Sequence, residues 1–361
     1  MRCDTCLARS RSGEEVHYAE CPVGIGKAID KVDGEWMPAY RPVVLIGRGY
    51  RFQGMTKRWN VPMLTTWRAA DCIPDDDPLF FGRPGSLAPK YANMIVQAAT
   101  HLHVVGCRLD LPSVGYQPEN FAPNAVRCEI DESIPCNEWI EQCRAWKAQY
   151  PIIKPEYYGG DYVNQYVFVD ELSKVLTGED IIVVGSSGQA SDIFYPTFRV
   201  KDGQRIISSP GLGAMGFGLP AAIGVALASG RRVICIEGDG SIQLNMQELE
   251  TVRRLNLNIK IFVLNNGGYA TIRNTSKRHF DGRDHTAGMT LPCIRDICDT
   301  HGIRSTFAVN NGYLCDLDIW LNTQGPYLVE LMCDPNLELS PRLRSTIVDG
   351  KIIPGRMEDV E

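Results

Sequence analysis

The chain places Gly238-Asp239-Gly240 just after the apolar run 233–236, and Asn265-Asn266-Gly267-Gly268 directly after the largely apolar strand signal 259–264. Between them, within residues 245–254 and just beyond, Met246, Leu249, Val252 and Leu255 recur at helical spacing. Strand, helix, strand is a βαβ unit, whose right-handed crossover lays the two strands parallel and often side by side. Their carboxyl ends then open on the same sheet edge, which is where open α/β sheets bind ligands. Asp239 sits past one end and Asn266 past the other. A carboxylate converging with an amide oxygen suits a hard cation, Mg²⁺ or Ca²⁺, shared with substrate phosphates. Ser241 is placed to cap the intervening helix, whose first N–H groups would face a phosphate. The flanking glycines let a ligand approach the backbone. Each Gly-rich stretch alone reads as an ordinary turn; their order across one βαβ unit is the specific feature.

The rest of the chain supports an α/β reading. Strand signals at 43–46, 61–66, 103–106 and 125–131 alternate with helix-length stretches at 90–100 and 139–148. After a linker at 150–160, a second series runs through a helix near 163–176 and strands at 181–184, 232–236, 259–264 and 327–332. The expected fold is therefore α/β, two tandem doubly wound parallel-sheet domains. The expected boundaries are an N-terminal extension 1–40, a middle domain 41–135, a linker 136–162, a diphosphate-binding domain 163–340 and a C-terminal tail 341–361. A net charge of −6 argues against a nucleic-acid surface. No segment reaches the ~18 to 20 apolar residues of a membrane helix. Thirteen scattered cysteines, with no secretory signal, point to reduced thiols in the cytoplasm.

Residues 211–222, Gly-Leu-Gly-Ala-Met-Gly-Phe-Gly-Leu-Pro-Ala-Ala, and 185–190, Gly-Ser-Ser-Gly-Gln-Ala, complete the pattern. Together with the two motifs above they resemble the thiamine-diphosphate-dependent enzymes. The resemblance implies that Asp239, Asn266 and the carbonyl of Gly268 bind Mg²⁺, and that Gly240 and Ser241 contact the diphosphate. It also implies that the Gly213 carbonyl accepts from the aminopyrimidine and that Met215 props the cofactor into its bent shape. Gln189 is carried over as a diphosphate contact; Ala190 stands where relatives have a histidine. Gly211-x-Gly213-x-x-Gly216, with Glu237 about 20 positions on, also fits a dinucleotide fingerprint, but Ser208-Ser209-Pro210 precedes it instead of an apolar strand.

Residues 41–47, 61–67 and 121–125 look like the middle domain of acetolactate-synthase-type members, so the resemblance covers roughly 40–335. Family members carry a further domain that grips the pyrimidine ring and supplies a protonating glutamate. About forty residues precede the middle domain, too few for such a domain, and no catalytic residue is assigned here. The resemblance thus implies a subunit of a split enzyme, a heterotetramer or larger, whose partner brings the glutamate. The expected reaction is decarboxylation of a 2-oxo acid with addition of the acyl carbanion to a carbonyl acceptor. A simple decarboxylase and a non-catalytic cofactor-binding relative are the alternatives. FAD at Gly47-Arg48-Gly49 and Gly106-Cys107-Arg108-Leu109-Asp110 is compatible with the glycines but unsupported by them alone. Arg273, Lys277, Arg278 and His279 are read as a solvated or interface surface, or as contacts to an acidic substrate. Cys3, Cys6, His17 and Cys21 offer four zinc ligands, with free thiols as the blander reading.

Overall fold

The computed structural model describes residues 29–32, 35–38, 40–55, 57–348 and 351–360. Cys3, Cys6, His17 and Cys21 lie outside the described residues. The chain divides into two compact units, one built from residues up to Pro151 and from Ser340 onward, the other from Ile152–Leu339.

In the first unit an antiparallel hairpin, β1 (Ile29–Val32) and β2 (Glu35–Pro38), precedes a four-stranded parallel sheet. Its strands β3 (Pro42–Ile46), β4 (Met63–Thr65), β5 (His101–Val105) and β6 (Val126–Arg127) lie in the order β4-β3-β5-β6. Strand β3 is buried along its whole length, which is why it reads as an unbroken apolar run instead of an alternation. Helix α1 (Lys90–Ala98) packs on this core. Helix α2 (Asn137–Gln149) does so too, burying Trp139, Ile140 and Cys143, while Trp139 Nε1 donates to the Pro42 carbonyl at 3.1 Å. Residues 137–149, expected as linker, are therefore part of this unit.

The second unit is a six-stranded, all-parallel sheet of β7 (Ile181–Val184), β8 (Arg205–Ile207), β9 (Val233–Gly238), β10 (Ile259–Asn265), β11 (Arg304–Ala308) and β12 (Tyr327–Met332). Their order is β11-β12-β10-β9-β7-β8. The chain runs from β7 outward to β8, then returns to the other side of β7 as β9, so the order reverses between β7 and β9. That reversal is where doubly wound sheets place ligands. Strands β9 and β10 are neighbours, with Gly238 opposite Leu264, as the βαβ reading requires. The helices are α3 (Gln165–Val175), α4 (Gln189–Thr197), α5 (Gly218–Ser229), α6 (Asp239–Ile242), α7 (Leu249–Arg254), α8 (Ala270–His279), α9 (Ile294–Thr300) and α10 (Leu317–Asn322). The crossover after β9 departs from the single helix expected at 245–254. The chain enters helix at Asp239 itself, breaks at Asn245 (φ −141°, ψ 26°) and resumes at Leu249.

The C-terminal segment is no loose tail. Strands β13 (Ser345–Val348) and β14 (Lys351–Pro354) pair as a hairpin and Met357 is buried in the first core. Asn93 Nδ2 donates to the Met357 carbonyl at 2.9 Å and Gln117 Nε2 to the Pro354 carbonyl at 2.7 Å. Among the described residues no helix is long and apolar enough to cross a membrane.

Candidate cofactor site

Four loops at the carboxyl edge of the second sheet are tied to one another. Asp239, almost fully buried, is held from both sides of the β9–β10 pair. Its Oδ1 accepts from Gly240 N at 2.7 Å, and its Oδ2 from Asn266 N at 3.0 Å and Gly268 N at 2.8 Å. Burial pushes the carboxyl above its ordinary range, and the three backbone N–H groups oppose that rise. The peptide donors thus keep a desolvated carboxylate poised to be charged, and a cation would complete the stabilisation. Gly267 (φ +74°) and Gly268 (φ +87°) adopt backbone that side chains disfavour, so this turn needs glycine.

The glycines of the first loop, expected to let a ligand approach the backbone, are not placed by left-handed backbone. Gly238 has φ −86° and Gly240 lies inside α6, so neither needs a left-handed backbone. Gly240 is required by a close approach instead: a methyl group there would sit 2.6 Å from the Tyr269 ring. Ser241 does not cap a helix, because it lies within α6 and its Oγ accepts from Gly216 N at 2.9 Å. Asn245 Nδ2 donates to the Gly216 carbonyl at 2.8 Å, which its non-helical backbone permits. Both backbone groups of Gly216 are therefore held by the segment after β9, and the 211–216 loop is fixed against it. Within that loop Gly213 (φ +67°) is half-buried and Met215 is exposed. Ser186 Oγ accepts from Ser209 N at 3.0 Å, joining the 185–190 loop to the same cluster.

Gln189 is buried at the start of α4. Its Oε1 accepts from Asn266 Nδ2 at 2.8 Å and from Gln165 Nε2 at 2.9 Å, while its Nε2 donates to the Leu337 carbonyl at 3.1 Å. Asn266 Oδ1 is buried with no hydrogen-bond partner. A buried acceptor left open costs about 1–3 kcal/mol, so it marks a place for a missing donor or cation. Asp239, Asn266 Oδ1 and the second lone pair of the Gly268 carbonyl make a hard oxygen set of the kind Mg²⁺ takes. Among the described residues no group of three or more His, Cys, Asp or Glu forms a metal cluster.

Arg273 is neither a solvated cation nor a free substrate contact. It is 8% exposed and donates to the carbonyls of Gly268 (2.9 Å), Asn266 (2.9 Å), Gly267 (3.4 Å) and Pro335 (2.8 Å). It clamps the second loop from beneath. Lys277, Arg278 and His279 follow in the last turn of α8. Sequence reasoning also missed Gln165, Asn245 and Tyr269. A buried amide at a helix start and a break in a short crossover leave no periodic signal; the side-chain bonds made there exist only after folding.

The dinucleotide alternative fails on Glu237. That carboxylate is fully buried and accepts from Gly218 N at 2.6 Å, so it cannot present itself to a ribose. In the first unit, part of the 47–49 loop considered for FAD is already engaged. Gly47 N donates to the Val105 carbonyl (2.8 Å), Gly49 N to the Gly106 carbonyl (3.0 Å) and Tyr50 N to the Gly47 carbonyl (3.1 Å). A methyl group on Gly106 would lie 2.7 Å from the Gly49 Cα, so these glycines serve backbone-on-backbone packing.

Comparison with known proteins agrees with this geometry. Residues 37–134 match the thiamine pyrophosphate enzyme central domain, and residues 186–331 match the thiamine pyrophosphate enzyme C-terminal TPP binding domain. The chain is 29% identical over 374 residues to a probable chloroplastic acetolactate synthase 2 of Oryza sativa subsp. japonica, covering 86% of this chain and 56% of that protein. It is 30% identical over 267 residues to the acetolactate synthase isozyme 1 large subunit of Escherichia coli, covering 63% of this chain and 46% of the relative. Against the mitochondrial acetolactate synthase of Schizosaccharomyces pombe it is 24% identical over 358 residues, covering 84% and 54%. The chain thus spans about half the length of the curated relatives it matches. With both domain models matched in order, and Asp239 bonded to the Asn266 and Gly268 backbone at the sheet edge, the chain belongs to the thiamine pyrophosphate enzymes, of which it carries the central and C-terminal cofactor-binding domains.

Proposed function

We propose that the second unit holds thiamine diphosphate through Mg²⁺, and that the protein serves acetolactate-synthase-like carboligation with a partner subunit. The observation that carries the reading is that the buried Asp239 carboxylate is bonded to the backbone N–H groups of Asn266 and Gly268 at one sheet edge, where Asn266 Oδ1 is left open. In this reading Asp239, Asn266 and Gly268 hold the cation, and Gly240 and Ser241 flank the diphosphate. Gly213 presents its carbonyl to the aminopyrimidine and Met215 supports the bent cofactor. When bound, the cofactor supplies the electron sink for the carbanion left by decarboxylation. The protein's own part is to fix the diphosphate, keep the buried Asp239 charged against the cation, and hold the 211–216 loop through Ser241 and Asn245. In the overall reaction the bond to the carboxylate of a 2-oxo acid breaks with loss of CO₂. A new C–C bond forms to the carbonyl carbon of the acceptor, whose oxygen takes a proton.

The glutamate that protonates the pyrimidine belongs to a domain other than the two matched here. We propose that a separate polypeptide brings it, in a heterotetramer or larger. Support comes from the apolar surface beside the cofactor loops: Leu212 is 83% exposed, and Leu244 and Met215 are also exposed. Exposed apolar side chains clustered at a site mark a surface that a partner covers. A reducing, cytoplasmic setting is proposed on thiols such as Cys107 and Cys298, which burial pushes up to about 12. The test is co-purification with a polypeptide carrying a pyrimidine domain, followed by assay of pyruvate consumption and hydroxy-ketone formation. Ligation product is expected only with both chains. Turnover of pyruvate by this chain alone overturns the partner requirement, and release of aldehyde in place of ligation product favours the decarboxylase reading.

A further inference from the structure

Three side-chain amides beneath the cation site form a directed chain. The Leu337 carbonyl is an acceptor only, so the end of Gln189 that faces it at 3.1 Å must be the NH₂ group. That places Gln189 Oε1 on the other side, where it accepts from both Gln165 Nε2 (2.9 Å) and Asn266 Nδ2 (2.8 Å). With its NH₂ group committed there, Asn266 turns its oxygen to the position where no protein donor waits. One backbone carbonyl thus sets the orientation of three amides. Gln165 is rigid in turn. It opens helix α3 directly after the cap Asn164, whose side chain accepts from Tyr166 N and Val167 N, and it is fully buried.

We propose that Gln189 and Gln165 are positioning residues that aim Asn266 Oδ1 at the cation. The inference rests on the cofactor reading above and deepens it. One N–H of the Gln189 amide is spent on the Leu337 carbonyl and its Oε1 takes two amide donors, so its orientation is fixed by the protein whether or not its second N–H also reaches a ligand. Outer partners that orient metal ligands typically change metal affinity by about 10- to 100-fold when removed.

The test uses the full chain with Mn²⁺ as probe, read by the loss of the free-ion electron paramagnetic resonance signal at saturating thiamine diphosphate. Cofactor affinity is measured separately at saturating Mn²⁺ by calorimetry. Gln165→Met and Gln189→Met are expected to weaken Mn²⁺ by about 10- to 100-fold, with the cofactor affinity of Gln165→Met at saturating metal close to wild type. Thermal unfolding without metal separates misfolding from misorientation, and Gln165→Leu, which also lacks a donor, repeats the test if Gln165→Met melts early. Unchanged Mn²⁺ affinity in correctly folded Gln165 variants overturns the inference. So does a Gln189→Met protein that binds Mn²⁺ normally but loses cofactor affinity at saturating metal. A wild-type chain that binds neither overturns the cofactor reading, and this inference with it.

Discussion

Arg273 is the residue whose removal should most directly expose how the second loop is held. Its guanidinium makes three bonds of 2.8–2.9 Å to the carbonyls of Asn266, Gly268 and Pro335. Hydrogen bonds to charged groups contribute about 1.5–3 kcal/mol each, and a buried acceptor left unpaired costs about 1–3 kcal/mol. Arg273 is not wholly buried, so water will reach some of these carbonyls in a variant. Taking about 1 to 1.5 kcal/mol per bond, Arg273→Met should destabilise the second unit by about 3 to 5 kcal/mol. For a domain of this size each kcal/mol moves the melting temperature by roughly 2–4 °C, so the shift should fall between about 6 and 20 °C. The positive charge also holds Asp239 down, so its loss should favour the protonated carboxyl. Differential scanning calorimetry, resolving the second unit from the first, measures the shift. Arg273→Lys, which keeps charge but not the fork, should fall between wild type and Arg273→Met. A Arg273→Met protein within about 1 kcal/mol of wild type would refute the clamp.

Other outcomes follow from the same contacts. Gly218→Ala places a methyl group inside the contact radius of the buried Glu237 carboxylate and should cost more than about 2 kcal/mol in chemical denaturation, because the neighbour is fixed by its own bond to Gly218 N. Asn245→Ala frees the Gly216 carbonyl and should speed proteolysis within residues 211–216, whereas cleavage equal to wild type would show that Ser241 holds the loop alone. Lys260, buried in β10, donates to the Thr323 and Gly325 carbonyls, and burial lowers its pKa to about 8. A folded pKa below the unfolded one means the unfolded chain holds more protons between about pH 8 and about 10.4. Stability of the wild type relative to Lys260→Met should therefore rise with pH through that window in paired melts; a flat difference contradicts it.

Much of the second unit was legible because its central strands are apolar on both faces. Strand β7 and the start of β9 read as unbroken runs, β10 and β12 as runs interrupted only by Lys260 and Glu330, and the two polar motifs stand at the ends of the adjacent β9 and β10. Strand β11, Arg304–Ala308, was hidden by its edge position, where Arg304, Ser305 and Thr306 face solvent in part. Strand β8 is three residues long, and α4 follows a Gly/Ser stretch and contains Pro196, so neither gave a clear period. The C-terminal hairpin escaped notice because its Ile347, Val348, Ile352 and Ile353 are exposed, giving no inward-outward alternation. Asp239, Asn266 and Gly268 could be named from motif order; their supports could not. Arg273 looked like one cation among four in a row, and only folding turns it onto backbone carbonyls.

The measurement that bears most directly on the central claim is thiamine diphosphate binding to the full chain, with Mg²⁺ and with EDTA, for wild type and Asp239→Asn. Isothermal calorimetry should show binding by the wild type in Mg²⁺, lost in EDTA and lost in Asp239→Asn even with Mg²⁺ in excess. Equal affinity of Asp239→Asn and wild type in Mg²⁺ would contradict the assignment of this sheet edge as the cation and diphosphate site.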